Sequence, residues 1–516
     1  MRPSRREFLK ALGVTGAAAA VPPFSRFALS NLASNDQVSR AQLAADPLRP
    51  QFHLLPARNW MNDPDGPIYW KGAYHMFFQY NPNAAVWGDM HWAHSVSPDM
   101  IHWRHLPMAL SPTPGSDDQE GCFTGSAVND DGTATILYTG VKSVLPGDAT
   151  LRDGAHNFRE VQCLASSQDS NLLEWQKLPA PVLTPPSDPN LTGFRDPCLW
   201  RDGGVWYMGI GSGQKGVGGR VLLYRSYDLR QWEYLHPLAS GKWNGMDSVN
   251  PVDSGEMWEC PDFFPLGEKH VLLYSTEGKV FWETGELDPK ELVFHAEKRG
   301  LLDCGAYYAP KSQLDFRDRR ILWGWIPETR PEAEYRAAGW AGCMSLPREL
   351  ALGPEGELVM RVVPEVSDLG RNLAILPDRV VAREARRAAL RRMSVENLSA
   401  EIRFRSLPRP LRIILSDGHS PFLTIVYSPE EAGKELEING KHAQLTGRKD
   451  AELEFHIFLD GSVVETIAND RIALTSRVYA VPRGPLHLVA SDLDLDSVVS
   501  LQVSKMQPIS PDRLTT

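Results

Sequence analysis

A strand-like run, a turn rich in Gly, Asp or charge, and a second apolar strand recur five times before residue 350 of this chain. The second strands fall at 73–78, 134–138, 205–208, 271–274 and 321–323. Four copies begin beside an acid, namely Asp63, Asp196, Glu259 and Asp303, and the second offers Phe123-Thr124-Gly125-Ser126 instead. A unit of this length is one small sheet that cannot bury its own apolar face, so copies stack as a propeller or solenoid. If the strand starts line a central axis, acids far apart in sequence meet in one funnel.

A second repeat is interleaved with the first. Ser97-Pro98-Asp99 precedes Trp103, Ser167-Gln168-Asp169 precedes Trp175, and Ser226-Tyr227-Asp228 precedes Trp232. Each reads as a strand end, an Asp turn and a further strand opened by Trp. The two repeats together predict four-stranded blades. A β-sandwich also has short strands, but the ordered repetition favours an all-β, five-bladed propeller over 45–352. A segment at 353–375 reads as a linker. Alternating strands over 376–510, with a hairpin turn at Asp460-Gly461, read as a C-terminal β-sandwich. The basic, Ala-rich stretch 383–392 reads as a solvated loop or short helix.

The net charge of −10 argues against nucleic acid or an anionic membrane surface as the partner and suits a neutral substrate such as a sugar. The 15 Trp serve core packing first, and indole faces also suit sugar rings. Residues 1–34 stand outside the fold. Arg5-Arg6 in a basic start, followed by an Ala/Gly/Val run, reads as a twin-arginine export signal. The apolar run is too short for a permanent membrane anchor, so the mature chain is expected in the periplasm or outside the cell. The six cysteines show no C-x-x-C spacing and read as buried free thiols rather than a zinc or redox motif. His91, His94, His102 and His105 are spaced at i and i+3, which in strands points to opposite faces, so they read as packing or substrate contacts and not as a metal clip.

The most specific string is Trp60-Met61-Asn62-Asp63-Pro64-Asp65-Gly66. It resembles the signature of glycoside hydrolase family 32, the invertase and fructan hydrolase family. The resemblance continues in order through Gln79-Tyr80-Asn81-Pro82, Trp87-Gly88, Cys122 to Ser126, Arg195-Asp196-Pro197, Trp258 to Asp262, Tyr308, Gly339-Trp340 and Leu346 to Glu349, and reaches the C-terminal strands. It covers nearly all of the mature chain. It implies a five-bladed propeller followed by a β-sandwich, which agrees with the repeat count.

The resemblance implies Asp63 as nucleophile, Glu259 as general acid/base and Asp196 as transition-state stabiliser. Retaining glycosidases need their two working carboxyls roughly 5–5.5 Å apart, and the acid/base needs a raised pKa. The implied sugar pocket comprises Asn62, Gln79, Trp87, Phe123, Thr124, Arg195, Tyr308 near the nucleophile, and Trp340 at the rim. Arg195 is also expected to keep Asp196 ionised. Asp303 reads as either a substrate ligand or a structural acid at the blade start, and Tyr80 and Trp92 as core. No metal or organic cofactor is implied. One departure stands out: the family commonly has Asn where this chain has Asp65. As an anion Asp65 only accepts hydrogen bonds and would crowd Asp63 with charge; alternatively it points into the turn and is silent.

The expected activity is retaining hydrolysis of terminal β-D-fructofuranosyl residues from sucrose or a related β-fructoside through a fructosyl-enzyme. The alternatives are an exo-levanase or exo-inulinase, a fructosyltransferase, and, from a different class, a carbohydrate-binding propeller without catalysis. The last would be marked by loss of Asp63 or Glu259, and both are present.

Overall fold

The computed structural model describes residues 38–429, 435–445 and 452–514, and the expected export signal lies outside them. The described fold is all-β. Five antiparallel sheets come first, each built on one long inner strand: Asn59–Trp70, Gly121–Asp130, Leu191–Asp202, Glu259–Leu266 and Tyr308–Leu314. Each inner strand pairs with one of the five second strands expected from the repeat. Lys71-Gly72, Asp131-Gly132 and Gly203-Gly204 close the first three of these hairpins with both turn residues at positive φ. That turn matches the right-handed twist of the strands it joins.

The Ser-x-Asp repeat is a side-chain-built corner. Asp99 accepts from the amides of Ile101 and His102 at 3.0 and 2.8 Å. Asp228 does the same with Arg230 and Gln231, both at 2.8 Å. Asp169 accepts from Asn171 and Leu173. Trp175 and Trp232 then donate their indole hydrogens back to Leu172 and Leu229 carbonyls at 2.9 and 3.0 Å. The carboxylate satisfies turn amides that no ladder can reach.

The inner strands neighbour one another in chain order, and the fifth lies beside the first. The segment Trp340–Ala341, which follows the fifth sheet's second strand, pairs in parallel with Asn59 and Trp60 of the first sheet. Aromatic and aliphatic side chains fill the space between sheets, among them Trp60, Phe78, Trp103, Leu273 and Trp323. Trp92 is fully buried and Tyr80 half-buried, in keeping with their reading as core.

The C-terminal part has two sheets. One contains Gly370–Ile375, Ser399–Ser406, Leu453–Asp460, Val463–Ala468, Ile472–Arg477 and Val498–Met506, and touches the fourth sheet where Asp303 pairs with Ala473. The other contains Ser394–Val395, Leu411–Ser416, Pro421–Ser428, Glu435–Ile438, Lys441–Gln444 and Leu486–Ala490. Their shared core includes Ile402, Leu415, Ile425 and Leu474, with Phe404 stacked on Phe455 at 4.4 Å.

The stretch expected as a linker is instead ordered structure. Leu358–Val362 completes the fifth sheet against Arg348–Leu352, a short helix spans Pro364–Ser367, and Gly370–Ile375 already pairs with Val498–Met506. Residues Arg383–Arg392 form a helix pinned by Arg386, whose guanidinium donates to the carbonyls of Pro377, Leu495 and Val498. Cys122, Cys163, Cys198, Cys260 and Cys343 are buried free thiols, and Cys304 is half-buried.

Candidate active site

Every inner strand breaks its pairing register at the same place. The breaks fall between Met61 and Pro64, Phe123 and Gly125, Arg195 and Cys198, Glu259 and Asp262, and Tyr308 and Lys311. Four of them carry a proline, Pro64, Pro197, Pro261 and Pro310, which has no amide hydrogen for a ladder and is at home in a bulge. At three of them the residue before the proline has positive φ: Asp196 at 63°, Cys260 at 48° and Ala309 at 50°. The bulge re-aims a side chain that regular pleating would send into a neighbouring sheet. Gly66 allows the first and second sheets to approach closely, since a Cβ there would sit 2.4 Å from the Ala127 amide nitrogen.

These bulges bring Asp63, Asp196 and Glu259 together from three different sheets. Asp63 accepts from Thr124 Oγ1 at 2.8 Å and Asn62 Nδ2 at 3.1 Å, and Trp60 Nε1 holds Asn62 Oδ1 at 2.8 Å. The Cys260 thiol lies 3.4 Å from Asp63 Oδ2 and 3.5 Å from Asp196 Oδ2. Asp196 Oδ2 also accepts from the Cys260 amide at 2.9 Å. Glu259 Oε1 accepts from Arg195 Nη2 at 2.9 Å, and its Oε2 accepts from Tyr308 at 2.7 Å. All three acids are buried: Asp63 is 6% exposed, Glu259 5% and Asp196 3%.

The electrostatics follow from that burial. Desolvation raises the Asp196 carboxyl to about 7, helped by Glu259 and Asp63 and opposed by Arg195. Burial alone would push the Arg195 guanidinium down, but Glu160, Glu259 and Asp196 hold it firmly protonated. Burial also pushes the Cys260 thiol well up, with Asp196 and Asp63 adding to it, so it stays a donor between two acids.

Several expectations are sharpened by this geometry. Arg195 is bound to Glu259 and Glu160 and stands 3.8 Å from Asp196, so its nearest service is to the acid/base candidate. Tyr308 donates to Glu259 Oε2, so its service reaches the acid/base candidate. Gln79 spends both amide hydrogens on Asp65 Oδ2 and the Cys122 carbonyl, at 2.7 and 2.9 Å. Half-buried Trp87 meets Phe123 edge-on at 5.9 Å and His156 at 5.3 Å, making an aromatic wall beside Thr124. Trp340 does not close the rim. It is fully enclosed, donates to Asp46 at 2.8 Å, and is faced by Arg49, Arg330 and Arg477. Its role in the first sheet's edge consumes the ring. Asp303 bonds Thr475 at 2.6 Å and Arg348 at 3.0 Å, a structural link to the C-terminal sheets. His94 packs on Phe77 at 4.4 Å and bonds His75 at 2.8 Å.

Two residues escaped the sequence reading. Glu160 is fully buried, bonds Arg195 Nη1 at 2.8 Å and accepts from the Phe194 amide. Lys311 is buried and donates to the Pro261 carbonyl at 2.8 Å, with the Asp196 and Pro197 carbonyls at 3.4 and 3.5 Å.

A buried group of three acids, a clamped arginine and an aromatic wall make this the candidate active site, and its acids are of the kind glycoside cleavage uses. Residues 53–361 match the glycosyl hydrolases family 32 N-terminal domain and residues 398–505 the family 32 C-terminal domain. The chain belongs to that family. It is 35% identical over 459 residues to a sucrose-6-phosphate hydrolase of Escherichia coli, covering 84% of this chain and 90% of the relative. It is 36% identical to a raffinose invertase of Escherichia coli, covering 83% and 89%. Among solved structures, a fructan 1-exohydrolase from Cichorium intybus superposes with a TM-score of 0.74 at 25% identity, over 90% of this chain and 98% of that one. A Bombyx mori beta-fructofuranosidase gives 0.72 at 28%, over 90% and 95%. These relatives support β-fructoside hydrolysis by this chain. Residues 2–22 match a twin-arginine translocation signal, which indicates export by that route. Among the described residues no helix is long and apolar enough to cross a membrane.

Proposed function

We propose that this chain cleaves terminal β-D-fructofuranosyl residues from sucrose or a related β-fructoside with retention of configuration. The observation that carries the reading is the convergence of Asp63, Asp196 and Glu259 from three sheets onto one buried point, each with a different hydrogen-bond environment. Asp63 attacks the anomeric carbon as the Glu259 carboxyl proton passes to the leaving oxygen. Water then attacks the fructosyl-Asp63 ester and returns its proton to Glu259. Asp196 binds fructose hydroxyls and offsets developing oxocarbenium charge. Thr124 and Asn62 orient Asp63, Arg195 and Tyr308 orient Glu259, and the wall of Phe123 and Trp87 faces the sugar. The five sheets serve as blades of a propeller, over 45–352, with the site at its axis and the sandwich as a packing partner. The mature chain works in the periplasm or outside the cell.

Chromatography of products from sucrose, raffinose, inulin and levan tests the reading. Fructose release from at least one is expected, and the pattern separates an invertase from an exo-fructanase or a transferase. D63A and E259Q should each lower kcat by about 1,000-fold or more, as loss of a covalent or proton-transfer group does. Near-normal rates in either variant would overturn the assignment.

A further inference from the structure

Asp65 is the anomaly of the nucleophile strand. Its side chain is fully buried, Oδ2 accepts from Gln79 Nε2 at 2.7 Å, and Oδ1 has no hydrogen-bond partner in the protein. One amide hydrogen cannot replace the hydration shell of an ionised carboxylate. The charges facing it do not help. Asp63 on its own strand and Asp196 from the third sheet repel a second anion, and Lys311 from the fifth sheet, a cation that faces it, directs its ammonium at the Pro261 carbonyl. Burial first, and Asp63 next, push this carboxyl well above the usual range.

We propose that Asp65 is held as a neutral carboxylic acid, a proton-carrying counterpart of an amide, that positions Gln79 and leaves Asp63 as the single negative charge of its strand. The proton sits on Oδ1, and Oδ2 remains the carbonyl that receives Gln79. Gln79 then fixes the Cys122 carbonyl at 2.9 Å, and Cys122 leads through Phe123 into Thr124, which donates to Asp63 at 2.8 Å. Asp65 is therefore a positioning residue that acts on the nucleophile through the second sheet. This corrects the expectation of an extra charge beside Asp63, and equally that of a silent turn residue.

The proposal rests on Asp63 as nucleophile for its kinetic arm only. In the infrared difference spectrum of wild type minus D65N near neutral pH, a protonated-carboxyl C=O band is expected, lost in the variant. Carboxylate bands in its place would overturn the proposal. In the pH profile of kcat/KM, D65A should lose about tenfold, the scale of one buried hydrogen bond, and D65N should restore it with the acid-side midpoint unmoved. A midpoint that falls in D65N would show that a negative charge had been removed, and would overturn the proposal. Failure of D65N to fold would do the same, because a neutral isostere is what the pocket is said to accept. If the protonated band appears but no fructoside is cleaved, the functional reading fails and the neutral Asp65 stands.

Discussion

Three acids share one buried point, yet their surroundings differ, as the different tasks proposed for them require. Asp63 is oriented by a hydroxyl and an amide, and Glu259 is gripped by Arg195 and Tyr308 on separate oxygens. Asp196 has the Cys260 amide and thiol, and its carboxyl is raised from 3.8 to about 7 by burial first and then by Glu259 and Asp63. A carboxyl whose folded pKa exceeds its unfolded one contributes stability below the unfolded value and loses it as pH rises through the folded one. D196N, which cannot ionise, should therefore raise Tm near pH 8 and raise it by less near pH 5, where only part of the stability has been lost, by roughly 2–4 °C for each kcal/mol recovered. The same variant should lower kcat/KM on the order of 100-fold, the scale of one preorganised electrostatic group. Thermal unfolding at the two pH values checks this, and a loss of Tm at both would mark Asp196 as structural.

At the scale of elements, the strands were legible and their bulges were not. All five second strands and the Ser-x-Asp corners follow from apolar runs, turn residues and order in the sequence, whereas Asp303, expected at a blade start, instead ends the outer strand Phe294–Asp303 of the fourth sheet. The register breaks do not follow in this way, although the sequence held a trace of them in Asp63-Pro64, Asp196-Pro197, Cys260-Pro261 and Ala309-Pro310. A proline one or two residues after the candidate residue of an inner strand (Asp63, Asp196, Glu259, Tyr308) is the mark of a bulge, and it recurs at four of the five breaks. Trp340, which the resemblance places at the rim, lies inward instead: it follows Gly339, a left-handed helix cap at φ 74°, and its indole donates to Asp46. Glu160 and Lys311 lay hidden because their partners are far away in sequence. Arg195, Pro197 and Pro261 come together with them only once the inner strands adjoin.

Across the whole molecule, the two parts are joined by buried charge. His53, ahead of the first sheet, bonds Asp460 at 2.7 Å and Glu465 at 2.9 Å, and Glu465 is shared with Arg348 at 2.5 Å. Burial alone would lower the imidazole, but the two carboxylates win and raise it from 6.5 to about 9. This stabilisation is complete below about pH 6.5 and lost as pH rises through about 9. H53A leaves two buried carboxylates short of a partner, so it should cost about 3–5 kcal/mol in denaturant unfolding near neutral pH. An unchanged midpoint would refute the clamp. The sandwich thus holds the strand that leads into Asn62 and Asp63, which links the C-terminal part to the site by geometry and not by chemistry. The central claim is that Asp63 carries fructose through a covalent ester, and trapping with methanol tests it most directly. Turnover of the best fructoside in aqueous methanol, followed by NMR of the methyl fructofuranoside formed, should give the β anomer alone, with none formed by D63A. The α anomer would show inversion by a single displacement and would contradict the account.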